Sequence, residues 1–152
     1  MAVNPAVEGR TYRTPRAHVV TRDEIVTFAR AVRASDARCL DVDAARAAGH
    51  SDVVAPTTFA VTLAQQAEAL FMRDEEACVD FSRLVHGEET FTHHAPIVAG
   101  EAVIAETTVA RVRSAGGNDM VTLTTAVTTA DGEARADTTS VVVIRGQEVG
   151  AS

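Results

Sequence analysis

The chain has 152 residues, 46% of them hydrophobic, which suits one domain with one core and excludes collagen-like, mucin-like and disordered classes. Fourteen basic against 21 acidic residues leave a formal charge of −7, the wrong sign for a nucleic-acid-binding surface and no basis for docking on an anionic membrane. No apolar run approaches the eighteen or so residues of a membrane span, and Met1-Ala2-Val3-Asn4-Pro5 lacks the regions of a signal peptide, so a cytoplasmic chain is expected. Every basic residue is Arg, a pattern that fits coding bias better than selection for guanidinium chemistry. Cys39 and Cys78 form no Cys-x-x-Cys pair, which argues against a disulfide framework or a zinc site and for a reducing compartment.

The N-terminal half reads as helical. Thr21-Arg22-Asp23-Glu24 fits a capping box and opens a helix over 21–33, with Ile25, Phe28, Ala29 and Val32 on one face. A short helix is expected over Val42 to Ala48, stopped by Gly49. Pro56 suits the first turn of a third helix, running to about Met72. Its stripe of Phe59, Leu63, Ala67, Leu70 and Phe71 is widened by Ala60, Val61 and Ala64, the pattern of a largely buried helix.

After residue 80 the period changes to two. Strands are expected over 83–94, 101–114, 119–130 and 134–145, with Val121, Leu123, Thr125 and Val127 on one face of the third. Gly116-Gly117-Asn118-Asp119 and Asp131-Gly132 are hairpin turns, so the last three strands form an antiparallel meander. Residues 16–20 supply a candidate fifth strand, and the tail from Gln147 to Ser152 is expected to fray. A long antiparallel sheet needs a cover, and the helix at 56–72 is the only element long and apolar enough. The expected architecture is α+β, a single hot-dog domain over residues 1–152 with the sheet curled around that helix.

Three segments sharpen this reading. Gly49-His50-Ser51-Asp52-Val53-Val54-Ala55-Pro56-Thr57-Thr58-Phe59 resembles the helix entry of MaoC-like hydratases and dehydratases. Asp80-Phe81-Ser82-Arg83-Leu84-Val85-His86-Gly87-Glu88 and Pro96-Ile97-Val98-Ala99-Gly100-Glu101 resemble one actinobacterial branch of that superfamily, related to the A and C subunits of the mycobacterial (3R)-hydroxyacyl-ACP dehydratase. The resemblance runs from about Gly9 to Arg145. It implies an acyl thioester substrate, on coenzyme A or an acyl carrier protein, and no cofactor. Catalytic members of the superfamily carry an Asp-x-Asn-Pro-x-His loop before the helix. Dehydration of a 3-hydroxyacyl thioester needs a base for the α proton, an acid for the departing hydroxyl and a donor for the enolate-like oxygen.

Here that loop reads Ala34-Ser35-Asp36-Ala37-Arg38-Cys39. By spacing from Gly49, Ala34 stands at the Asp position, Asp36 at the Asn position and Cys39 at the His position. Ala34 transfers no proton, and an ordinary thiol, with a pKa of about 8.5, is a poor substitute for imidazole. The resemblance therefore points to a non-catalytic subunit working beside a catalytic hot-dog partner. The Thr57 N–H would remain as the helix-start donor, with Thr58, Phe59, His86 and Glu88 as further substrate-binding candidates.

His86, Asp36 and Cys39 are the fallback catalytic candidates, each with a plainer structural reading: a histidine on the sheet, a loop-capping carboxylate and a small buried thiol. Period two puts Glu88 on the face of His86 and turns Glu89 away. His93 and His94 face opposite sides, and His86 and His94 share a face roughly 26 Å apart, so no metal site is expected. Arg111 and Arg113 share a strand face, as either an anion contact or a solvated edge. The leading reading is a subunit of a (3R)-3-hydroxyacyl-thioester dehydratase or enoyl hydratase, forming a homodimer or a heterodimer with a catalytic subunit. Alternatives are a homodimeric hot-dog enzyme with a relocated site, acting on a thioester or polyketide-like substrate, and a non-enzymatic acyl-binding or assembly module.

Overall fold

Thr21 opens α1 (Arg22–Ala31) as the capping-box pattern requires. In the computed structural model, which describes residues 2–146, Thr21 Oγ1 accepts the Glu24 N–H at 3.1 Å and the Glu24 carboxylate accepts the Thr21 N–H at 2.7 Å. Two amides that a bare helix start would leave unpaired are satisfied this way. Ile25 and Ala29 are buried, Phe28 packs edge-on against Phe59 with ring centroids 5.4 Å apart, and Val32 is exposed. α2 (Val42–Ala47) is capped by Asp41 and ends before Gly49, whose φ of +94° suits glycine.

α3 (Ala60–Arg73) begins four residues later than the pattern predicts. Pro56 instead starts a turn closed by the Phe59 N–H on the Pro56 carbonyl at 2.9 Å, and the Val61 and Thr62 amides also reach only three residues back. Proline's fixed φ serves a tight turn as well as a first helical turn, so composition alone does not separate the two. The stripe itself is as expected: Phe59, Leu63, Ala67 and Phe71 are buried and Leu70 is half-buried. Ala60, Ala64 and Ala67 are small enough to let the sheet come close.

The sheet contains β1 (Thr11–Arg13), β2 (His18–Val19), β3 (Leu84–His93), β4 (Ala102–Ala115), β5 (Asn118–Thr129) and β6 (Ala134–Ile144). Its order is β1-β4-β5-β6-β3, with β2 also on β4 and every pair antiparallel. The β4-β5-β6 meander and the four long strands match the sequence reading to within a residue or two. The expected strand at 16–20 contracts to the two residues of β2. β1 was not legible, because three residues carry no period. One face of the sheet packs on α3, which is the hot-dog architecture.

A bulge overturns one expectation. In β3, His86 pairs with Val142 and Glu88 with Val141, so the register slips at Gly87. Val142 is on the buried face and Val141 on the outer one. His86 and Glu88 therefore face opposite ways, and Glu89, opposite Ser140, shares the inner face with His86. Strict alternation fails because glycine adds one unpaired residue. The same slip removes the expected shared face of His86 and His94.

The core divides into two apolar clusters. One gathers Phe59, Ala60, Leu63 and Ala67 under Val103 and Val127, and the other gathers Phe71 with Val109, Val121 and Leu123. Seven buried polar residues, Glu68 on α3 and Thr107, Asp119, Thr125, Thr129, Thr138 and Ser140 on the sheet, also face inward.

Candidate acyl-binding site

A cavity of about 540 Å³ opens at the start of α3. Backbone pairing of three loops builds its walls. The Val54 N–H bonds the Arg38 carbonyl at 3.0 Å, the Ala55 N–H bonds the Ile97 carbonyl at 2.8 Å, and the Ala99 N–H bonds the Val53 carbonyl at 3.0 Å. The segment before α3 is thus held between the loop at 34–39 and the loop at 96–100. Arg22 grips Asp52 with two bonds of 2.9 and 2.7 Å and ties α1 to the same segment. Glu101 has a structural part: it accepts the Val98 N–H at 3.1 Å and is clamped by Arg135 at 2.7 Å. The Pro96-to-Glu101 motif therefore shapes a wall.

Ala34, Asp36, Arg38, Thr57 and Ala60 line the cavity, as do His50, His93 and His94. The Thr57 amide makes no backbone hydrogen bond among the described residues, which leaves it available to a carbonyl oxygen. Asp36 is taken up by Arg38, whose Nε and Nη2 donate to it at 3.0 and 2.6 Å. That guanidinium pushes the carboxyl down to about 2, which makes it a weak base. Cys39 is 5% exposed and does not border the cavity, and burial pushes its thiol up, away from the thiolate form.

The other candidates scatter. Thr58 is exposed beside Thr57 but off the cavity wall, and Phe59 is buried beneath Phe28. His86 and Glu88 are exposed on β3 and do not line the cavity of this chain. Arg111 and Arg113 lie on the outer face of β4, opposite Thr122 and Met120. Of the three cavity histidines, the sequence reading weighed His93 and His94 only as metal ligands, set on opposite faces, and gave His50 no role. His93 sits on the inner face opposite Ala136, stacked at 3° on Phe91, while His94 lies beyond the end of β3 and bonds Asp137 at 2.7 Å. The strand stops at His93, so alternation no longer separates the two rings. His50 and the His93-His94 pair do fall within or beside the segments that carry the family resemblance. Among the described residues, no set of three or more His, Cys, Asp or Glu side chains converges as a metal site.

Residues 6–138 match the family model of the FAS1-like dehydratase domain region. The chain belongs to this family. A UPF0336 protein of Clavibacter michiganensis is 41% identical over 97% of this chain and 99% of its own length, and one of Leifsonia xyli is 42% identical over 96% and 98%. Among solved structures, the HadBC (3R-hydroxyacyl-ACP dehydratase) complex of Mycobacterium tuberculosis aligns with a TM-score of 0.80 at 28% identity, over 90% of this chain and 96% of that one. A MaoC-like dehydratase aligns with a TM-score of 0.84 at 29% identity, over 94% of this chain and 43% of that longer one. The fold is therefore that of the MaoC-like dehydratases, in the branch the sequence motifs pointed to. No helix of the described residues is long and apolar enough to cross a membrane.

Proposed function

We propose that this chain is a subunit of a (3R)-3-hydroxyacyl-thioester dehydratase or enoyl hydratase that shapes the acyl site while a hot-dog partner supplies the catalytic Asp and His. One observation carries the reading. The cavity at the α3 entry keeps a free Thr57 amide, yet the wall position of the family's aspartate is Ala34. A bound thioester would find a donor for its carbonyl oxygen and no base from that loop. Asp36, neutralised by Arg38, does not fill the gap, and neither does the buried Cys39. Similarity to a HadBC complex supports a second hot-dog subunit as the source of the missing groups.

The test is hydration of crotonyl-CoA and longer enoyl-CoA thioesters, first by the purified chain and then with a hot-dog subunit carrying an intact Asp-x-Asn-Pro-x-His loop. Positioned acid and base groups are worth about 100- to 10,000-fold in rate. The chain alone is expected to be slower than the pair by a factor in that range.

His50, His93 and His94 on the cavity wall favour a second reading, a relocated acid/base site in this chain itself. Fast turnover by the chain alone, abolished by His50→Ala or His93→Ala, would install that reading and remove the first.

A further inference from the structure

Glu68 is a charged residue type at 1% exposure in the middle of α3. Its Oε1 lies 2.8 Å from Ser140 Oγ on β6, and the same Oγ lies 2.6 Å from Glu89 Oε2 on β3. The remaining carboxyl oxygens, Glu68 Oε2 and Glu89 Oε1, are both buried without a hydrogen-bond partner among the described residues, as is Thr138 Oγ1. A hydroxyl has one hydrogen to give. Ser140 can donate to one carboxyl only, and its contact with the other needs a hydrogen from that carboxyl. An ionised carboxylate has none. Two ionised carboxylates here would leave a bare oxygen–oxygen contact and two buried like charges.

We propose that Glu68 and Glu89 share one proton through Ser140 at neutral pH, so that the pair carries a single negative charge and straps α3 to β6 and to the edge strand β3. The surroundings fit. β3 contributes Glu89 and, one residue before the bulge, His86, which is exposed and makes no hydrogen bond to either carboxyl. β6 offers only the hydroxyls of Thr138 and Ser140. On β4 and β5, Thr107 and Thr125 bond each other at 2.6 Å, and Asp119 is occupied by the Val3 N–H and by Ser114. Tyr12 of β1 donates to Asp74, just past the helix end. Among the described residues, no cation is bonded to either acid. Burial is the main influence raising the Glu68 carboxyl, and the Glu89 charge adds to it against the Ser140 bond and His86.

The proton has a thermodynamic signature. An unfolded glutamate titrates near pH 4.3, roughly. Between that pH and the higher value in the folded pair, the folded chain holds a proton that the unfolded chain has released. Stability therefore falls as pH rises through this window and levels once the proton leaves. If the hot-dog partner of the proposed function pairs along the open edge of β3, deprotonation would loosen that edge. This consequence rests on the proposed function; the shared proton does not.

The test uses the full chain alone. Thermal unfolding of the wild type, Glu68→Gln and Glu89→Gln is followed from pH 5 to 8.5, with carboxyl ¹³C NMR of the wild type over the same range. The wild-type Tm is expected to fall by on the order of 3–5 °C beyond the trend of the variants. Either amide supplies the missing hydrogen permanently, so the variants should lack that component and be the more stable proteins at pH 8. One glutamate carboxyl of the wild type should titrate well above the usual glutamate range. Parallel Tm curves for wild type and both variants, or ordinary titration of every glutamate carbon, would overturn the proposal. If the variants do not fold, the wild-type NMR titration decides. No partner or substrate enters the measurement, so a failed activity assay leaves its outcome intact.

Discussion

Asp36 and Glu68 are both carboxylic acids, and their surroundings push them in opposite directions. Asp36 sits in a loop, gripped by the Arg38 guanidinium, and stays ionised down to about pH 2. Glu68 sits in the core, where burial raises it. A carboxylate held so low contributes its ion pair at every ordinary pH and loses it only as pH falls through that value. It cannot therefore be the group behind an acid limb near neutrality. On the proposed function, Asp36→Ala is expected to leave the kcat/KM pH profile of the chain with its catalytic partner in place and to lower kcat less than tenfold, against about 100-fold or more for a true acid or base. A displaced acid limb would return Asp36 to the catalytic machinery. The cysteines give a second check at this scale. Cys39 is buried with a raised thiol, while Cys78 is half-buried at a turn. Native chain at pH 7.5 should be alkylated at Cys78 first, with Cys39 protected until unfolding, as read by peptide mass spectrometry.

The elements are held in place by different means, and the expected costs differ accordingly. Removing the Thr21 hydroxyl takes away one side of the α1 capping box. Thr21→Ala should cost about 0.5–2 kcal/mol in denaturant unfolding, with little change in m. Phe71 is fully buried in the second apolar cluster, with its ring edge-on to Tyr12 at 5.8 Å. Phe71→Ala should cost about 3–5 kcal/mol, because α3 cannot collapse into the space left under the sheet. The ordering of these two losses is the test: a cap change costing more than the core change would mean that α3 is not the central support. Of these elements, α1 and the β4-β5-β6 meander were legible from sequence because caps, hairpin glycines and period two are local signals. The true start of α3 and the face of Glu89 were not. One depends on a turn that proline permits equally well, and the other on a bulge that shifts every later residue of β3.

For the whole molecule, the open edge is the main feature. β3 ends the sheet with ten residues, and among them Val85, His86, Gly87 and Glu88 are exposed in sequence. Phe81, just before the strand, is 68% exposed. A long unpaired edge recruits another strand. Light scattering at micromolar concentration should give a mass above the single chain's 16.0 kDa, either for the chain alone or with its partner. A charge placed on the exposed edge, Val85→Lys, should shift that assembly toward monomer. A monomer under both conditions would count against any reading that needs a second subunit.

The amino-acid order alone determined the hot-dog architecture, the apolar stripe of the central helix and the absence of a proton-transfer group at Ala34. These follow from periodicity and residue chemistry, which act over a few neighbours. Tertiary structure decided which polar groups meet. It brought His50, His93 and His94 to one cavity from segments more than forty residues apart, and it removed Cys39 from that cavity. It also joined Glu68, Glu89 and Ser140, which are 51 and 72 residues apart across their two contacts. Such meetings depend on strand register and on how a sheet closes over a helix. A single inserted glycine in β3 was enough to exchange Glu88 for Glu89 on the inner face, and no local pattern records on which side of a bulge a side chain will fall.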